Sequence, residues 1–445
     1  MVGVSTSEGL GAQPHKRTAV GAAMSVLNRL AGAPLLARLG IKKPVDRVVY
    51  GATKAGFTLA NRTFRVTGSQ SKPQRLPSAG DSGVFDLNPT EDQQLIVETV
   101  REFAAEQLRP AAAVADDKCS APPELLSTAA ELGVTLVGVP ESLGGVATDR
   151  STMTNVLVAS ALAEGDLGLA LACLAPAAVS NALVLWGDKE QQATYLPAFV
   201  GDDVPAAALA IQEPRAVFDP FSLRTKAYRT SGGFVLDGVK SLVPRAAAGE
   251  LFVVAADLEG RGPALFLVES STKGVSAEAE PAMGLRAAGT GRLVLSQVSV
   301  PSTALLGDSS SYAECVRLAR LGWCALAVGT GQAVLSYVTG YVNDRVAFGE
   351  PVSHRQGVAF KVADIGTELD GMRLVTWRAA SRAALGLPFA REVALARKLC
   401  TDKGMTIGSD GVQLLGGHGF VKEHPVERWY RDLRAVGLME GAVLV

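Results

Sequence analysis

The chain has 445 residues, of which 48% are hydrophobic and 20% charged, which is enough for a large packed core. That excludes a disulfide- or metal-stapled mini-domain and a wholly disordered chain. A formal charge of -1 argues against a nucleic-acid binder.

The charge balance is uneven. Residues 1–80 hold twelve Lys and Arg against two acids, whereas residues 81–445 hold 31 against 42. Met24, Leu27, Leu30, Leu35 and Leu39 approach helical spacing within the basic stretch. Four readings of it stay open: a surface for acidic lipid headgroups, an arm on the acidic body, an organellar transit segment, and a solvated leader. Residues 71–85 have linker composition, so residues 1–85 are expected to form a basic extension.

A helical domain is predicted over residues 86–204. Thr90 is a candidate N-cap for a run through Leu95, Ile96, Val100, Phe103 and Leu108. Pro122 and Pro123 open a second helix, and Gly133 closes it. Leu167 to Gly187 carries no charge and is long enough to span a membrane, but Pro176 interrupts it. A buried helix–turn–helix explains that segment better.

Residues 205–306 change character. Gly232-Gly233 and Asp237-Gly238 are turn signals among short apolar runs, as in a small barrel or sandwich. Helical patterns return over residues 307–445: Val316–Val342, Gln356–Leu385 and Phe389–Ile407. A break at Gly416–Gly419 and a last helix near Pro425 complete a four-helix bundle. The fold class expected is therefore α+β. Five scattered cysteines without a CxxC pair read as reduced thiols. The four histidines lack metal-ligand spacing, so no metal site is expected.

Seven local signatures occur in one order. They are Pro140–Gly145 (PExxGG), Ile211–Pro214 with Asp219 (a worn TEPxxGSD), and Gly232–Lys240 (GGYxLNGxK). Met283–Thr290 (MGxRxSxT), Arg345–Gly349 with Gln356 (RxxFG), Gln413–Phe420 (QxxGGxGF) and Arg431–Arg434 (RDxR) follow. As an ordered set over residues 86–445 they resemble the acyl-CoA dehydrogenase family, closest in character to its very-long-chain branch.

The resemblance implies FAD-dependent oxidation of an acyl-CoA thioester to a trans-2-enoyl-CoA. Electrons then pass to an electron-transferring flavoprotein. It implies Glu440 as the base, because Glu440-Gly441 stands at the family's YEGT motif. Ile211, Gln212, Arg345, Phe348, Gln356, Gln413, Gly416 and Gly417 take FAD-contact positions, Arg345 and the glycines across a dimer interface. Arg320 takes the position that contacts CoA. Glu213 and Asp219 read as structural. A homodimer or dimer of dimers is implied. The location expected is cytoplasmic, or peripheral on a membrane through residues 1–80, or the mitochondrial matrix if the leader is a transit segment.

Some positions depart from the family. Gln212 replaces a flavin-contacting Thr, and Val217-Phe218 replace a Gly-Ser pair. Leu242 replaces a Trp, and Pro244 replaces a Thr or Ser and has neither N–H nor hydroxyl to donate. These departures support a second reading, a catalytically impaired homologue that serves as a structural or regulatory subunit.

Overall fold

The computed structural model describes residues 88–145, 147, 150–201 and 203–445. The expectations for the basic leader lie outside the described residues. Among the described residues six α-helices come first: α1 (Glu91–Phe103), α2 (Arg109–Lys118), α3 (Pro123–Glu131), α4 (Thr152–Gly165), α5 (Leu167–Trp186) and α6 (Lys189–Val200). Thr90 caps α1 as expected, with Gln93 returning the bond in a capping box. Val100 and Phe103 face the core, whereas Leu95 and Ile96 lie exposed in the first turns.

The segment expected to turn at Pro176 is instead one helix. Pro176 sits inside α5 and withholds the N–H that residue 172's carbonyl would receive. The helix persists because it is buried along most of its length, and packing outweighs one lost backbone bond. Its N-cap, Asp166, accepts the N–H of Leu169 at 3.0 Å.

The middle layer is an eight-stranded sheet of β1 (Ala207–Ala210), β2 (Lys226–Thr230), β3 (Gly233–Val243), β4 (Leu251–Leu258), β5 (Gly262–Glu269), β6 (Val275–Ala279), β7 (Gly291–Pro301) and β8 (Leu305–Leu306). The strand order is β6-β7-β3-β2-β4-β5-β8, with β1 parallel to β4. One core lies between this sheet and α5, built on Leu209, Val253 and Leu265. A second lies on the opposite face around Phe234, Phe252 and Phe266. Alternation along β4 and β5 supplies both faces.

Four helices follow: α7 (Ser311–Asp344), α8 (Gln356–Ala384), α9 (Ala390–Leu414) and α10 (Val426–Leu433), with a short hairpin β9–β10 (Val346–Ala347 and Glu350–Pro351) after α7. This is the α+β architecture expected, helices first, sheet second, helices last. The α7–α4 crossing is close enough to require glycine. A Cβ on Gly329 would stand 2.0 Å from the Ser160 carbonyl oxygen. Gly329→Ala therefore destabilises the protein by about 1–3 kcal/mol, measured as a drop in urea midpoint at unchanged slope.

The last short helix ties all three layers. Arg431 donates to both oxygens of Asp116 at 3.0 and 2.9 Å and to the Met283 carbonyl at 2.9 Å. Asp432 accepts the N–H of Leu285 at 2.6 Å. Arg428 donates to Asp166 at 2.8 Å. Gly284 is needed there, since a Cβ would meet the Arg431 carbonyl oxygen at 2.5 Å.

Candidate active site

The chain leaves α10 through a single tight turn, Arg434–Gly437, and then reaches Glu440. Met439 is buried, so the backbone is anchored immediately before the carboxylate. Gly441 follows with φ +79°, and a Cβ there would lie 2.8 Å from that of Ile211. Only glycine allows this approach, which accounts for the Glu-Gly pair. The Glu440 N–H donates to Oε1 of Gln212 at 3.1 Å, joining this turn to the end of β1.

The carboxylate itself is 8% exposed. Arg320, on α7, chelates it: Nε lies 3.0 and 2.9 Å from its two oxygens and Nη2 lies 2.7 Å from Oε1. Burial lowers the Arg320 pKa, but the bonds and charge of Glu440 more than offset it, so it sits above the ordinary arginine value. Arg397, on α9, is 3.7 Å from Oε1 and donates to the Met439 carbonyl at 2.6 Å. Its Nη1 is buried without a hydrogen-bond partner among the described residues. Arg397 escaped the sequence reading. The available signal was a charge directly beside the buried stripe Val393, Ala396 and Cys400.

Beyond Glu440 the backbone is pinned by Trp323, whose Nε1 donates to the Gly441 carbonyl at 2.8 Å. Residues 442–445 are buried, with Val443 packed over Gly322.

Glu213 is structural, as its sequence context suggested. Its carboxylate accepts the N–H groups of Arg224 and Thr225 and the ammonium of Lys240 at 3.1 Å. Burial pushes the carboxyl up, and Lys240 with those N–H groups brings it below its ordinary value. Asp219 accepts the N–H of Phe221 in a turn.

The remaining site residues lie elsewhere. Arg345 is exposed at the far end of α7, about 37 Å along the helix from Arg320 at 1.5 Å per residue. Phe348 is exposed with φ +57°, and Gln356 and Gln413 are exposed. Gly416 and Gly417 have open space where a side chain would stand. Tyr341 links the two segments: its hydroxyl lies 2.7 Å from Nδ1 of His418. Ile211, Gln212, Arg320 and Glu440 thus come together in one place. Arg345, Phe348 and the Gly416 turn form a separate surface.

Both places suit a flavin dinucleotide. The surface offers a guanidinium with no partner among the described residues and two glycines that leave room for a close phosphate. At the other place, the Nε2 of Gln212 makes no hydrogen bond among the described residues and is a free donor. Pro244 is buried and supplies none.

The chain resembles known proteins domain by domain. The family profile for the acyl-CoA dehydrogenase N-terminal domain matches residues 90–203, the middle domain 208–298, and the C-terminal domain 311–443. The short/branched chain specific acyl-CoA dehydrogenase of Rattus norvegicus is 31% identical over 384 residues, 83% of this chain and 88% of that protein. The structure of butyryl-CoA dehydrogenase from Megasphaera elsdenii superposes with a TM-score of 0.73 at 27% identity, over 79% of this chain and 95% of the other. A chain in the structure described as the electron transferring flavoprotein of Acidaminococcus fermentans gives 0.74 at 26%, over 80% and 95%. With the three domains matched in order, the chain belongs to the acyl-CoA dehydrogenase family of FAD-dependent enzymes.

Proposed function

We propose that this protein oxidises an acyl-CoA thioester to the trans-2-enoyl-CoA, with Glu440 taking the α-proton. The observation that carries this reading is the enclosed carboxylate where α7, α9 and the end of β1 meet. An α-proton is weakly acidic, so a base for it must be fixed in position and shielded from water. Gln212, Gly441 and Trp323 fix the backbone on both sides of Glu440, and Arg320 fixes the side chain.

Arg320 has a second part in this reading. Its chelation places two of its three bonds on Oε1 and one on Oε2, so Oε2 keeps a lone pair that can take the proton. The Arg320 side chain is 30% exposed, so its remaining N–H groups are within reach of the CoA moiety. FAD, when bound, would supply the acceptor for the β-hydride. Gln212 and Ile211 would hold the ring end. Arg345, Phe348, Gln356, Gln413, Gly416 and Gly417 would hold the adenosine-diphosphate end from a partner protomer. The spacing along α7 favours two protomers, since one chain separates these groups by the length of a long helix. An electron-transferring flavoprotein is the acceptor, and the oligomer is a dimer or a dimer of dimers. The leader's four readings carry over, a mitochondrial-matrix location applying only to the transit reading.

The test is the visible flavin spectrum of purified protein before and after acyl-CoA of graded length. Bleaching supports dehydrogenation and ranks the acyl groups. A colourless protein that stays apo in excess FAD supports the second reading, an impaired subunit, which the tight Arg320–Glu440 pair and the donorless Pro244 favour. Arg345→Ala, at an exposed position, should weaken FAD retention at least tenfold, as expected for one charge-assisted phosphate contact, without shifting thermal stability of the apoprotein. Equilibrium dialysis of the flavin measures it.

A further inference from the structure

A cavity of about 430 Å³ lies away from Glu440, between the α2–α3 turn, α3, α5 and the loops that follow β3 and precede β7. This volume is in the range of small-molecule sites. Its walls combine apolar surface with polar groups, among them the Arg245 guanidinium and the Thr135 hydroxyl, which make no hydrogen bond among the described residues. Arg245 enters it directly after β3. Its backbone N–H donates to the Ala288 carbonyl, but its guanidinium makes no hydrogen bond or ion pair among the described residues. The residue is half-buried and has φ +50°, a left-handed conformation that is costly for any residue with a side chain. Burial also holds the guanidinium below its ordinary value.

A second group points to the same absent partner. Thr135 lines the cavity, is 3% exposed, and its Oγ1 is buried without a hydrogen-bond partner among the described residues. Leaving a buried hydroxyl and a half-buried cation both unsatisfied is unfavourable, and native proteins do so where a ligand completes the set. Asp203 also lines the cavity. Its negative charge disfavours a dianion beside a single arginine.

We propose that this cavity binds a small monoanionic carboxylate, with Arg245 gripping the carboxylate, Thr135 donating to it, and Ala172 and Pro176 packing its apolar body. A guanidinium matches a carboxylate in a two-pronged bond. The site is separate from Glu440 and Arg320, neither of which lines it.

Cys119 gives a local reporter. It lines the cavity and is the exposed cysteine; Cys173, Cys315, Cys324 and Cys400 are buried. The experiment uses the full chain with benzoate, its neutral isostere benzamide, and the dianion phenyl phosphate. Calorimetry measures binding, and the rate of Cys119 alkylation by iodoacetamide locates it. Benzoate should bind and slow alkylation, while benzamide and phenyl phosphate should bind at least tenfold more weakly. Arg245→Gln should weaken benzoate at least tenfold, and Thr135→Val several-fold. The Arg245 side chain makes no hydrogen bond or ion pair among the described residues, so its replacement should leave the fold intact, checked by circular dichroism. Absence of benzoate binding, equal binding of benzamide, unchanged affinity in Arg245→Gln, or binding that leaves Cys119 alkylation unaffected would each overturn the proposal. Tighter binding of phenyl phosphate would overturn the carboxylate assignment.

Discussion

Glu440→Gln should leave the protein yellow and stop acyl-CoA from bleaching it. The amide keeps the shape of the carboxylate and one acceptor oxygen for Arg320, so the turn between α10 and Gly441 is preserved. Its backbone N–H still reaches Gln212, and Trp323 still holds Gly441. What is lost is the ability to accept a proton. General-base catalysis is worth about 100- to 10,000-fold, and the rate of flavin reduction in stopped flow should fall by that amount. Flavin content and the affinity for acyl-CoA should change little. Glu440→Asp provides a graded comparison: a shortened carboxylate keeps the chemistry but withdraws from both Arg320 and the α-carbon, and should fall between the two. Reduction within a few-fold of the unmodified protein in Glu440→Gln would exclude Glu440 as the base. Arg320→Lys separates the two roles of that arginine. It loses the chelate geometry, so KM should rise through weaker CoA contact while Glu440, less tightly gripped, remains competent.

The sequence carried the layer order and most helix boundaries, because these rest on local periodicity and capping. Thr90, the proline pair at 122–123, Gly133 and the Gly232-Gly233 turn mark real boundaries, whereas Asp237-Gly238, read as a turn, lies inside β3 at an irregularity of its pairing with β7. It misled at Pro176, where a residue that breaks exposed helices is retained in one surrounded by protein. The site was legible only in part. Glu440 and Gln212 were legible as candidates through motif order, but that Arg320 grips Glu440 was not, because residues 120 positions apart meet only through the packing of α7 beneath the last turn. Arg397 was missed for the same reason. The orphaned Thr135 hydroxyl and Arg245 carry no sequence signal at all, since an unsatisfied donor is defined by what is absent around it.

The largest stability effect is expected at Arg428. Asp166 is fully buried, and its carboxylate has two partners that matter: the N–H of Leu169, which it caps, and Arg428 at 2.8 Å. Arg428→Met keeps the length and apolar bulk of the side chain but leaves that carboxylate without its countercharge. Breaking a buried pair in this way costs about 3–5 kcal/mol, read as a fall in the urea midpoint. Adding Asp166→Asn should recover part of it, since the amide still caps α5 and no longer needs the charge; no recovery would mean that Arg428 acts by packing alone. The same junction carries a pH dependence. Burial, and next the nearby Asp166, push Asp432 up to about 8, whereas an unfolded aspartate titrates near 3.9. The native state therefore holds an extra proton between those values. The stabilisation from that proton is complete below about pH 4 and is lost as pH rises through 8. Asp432→Asn should flatten this slope in stability measured from pH 5 to 9, because the amide is neutral throughout and still accepts the Leu285 N–H. An unchanged slope would exclude Asp432 as its source.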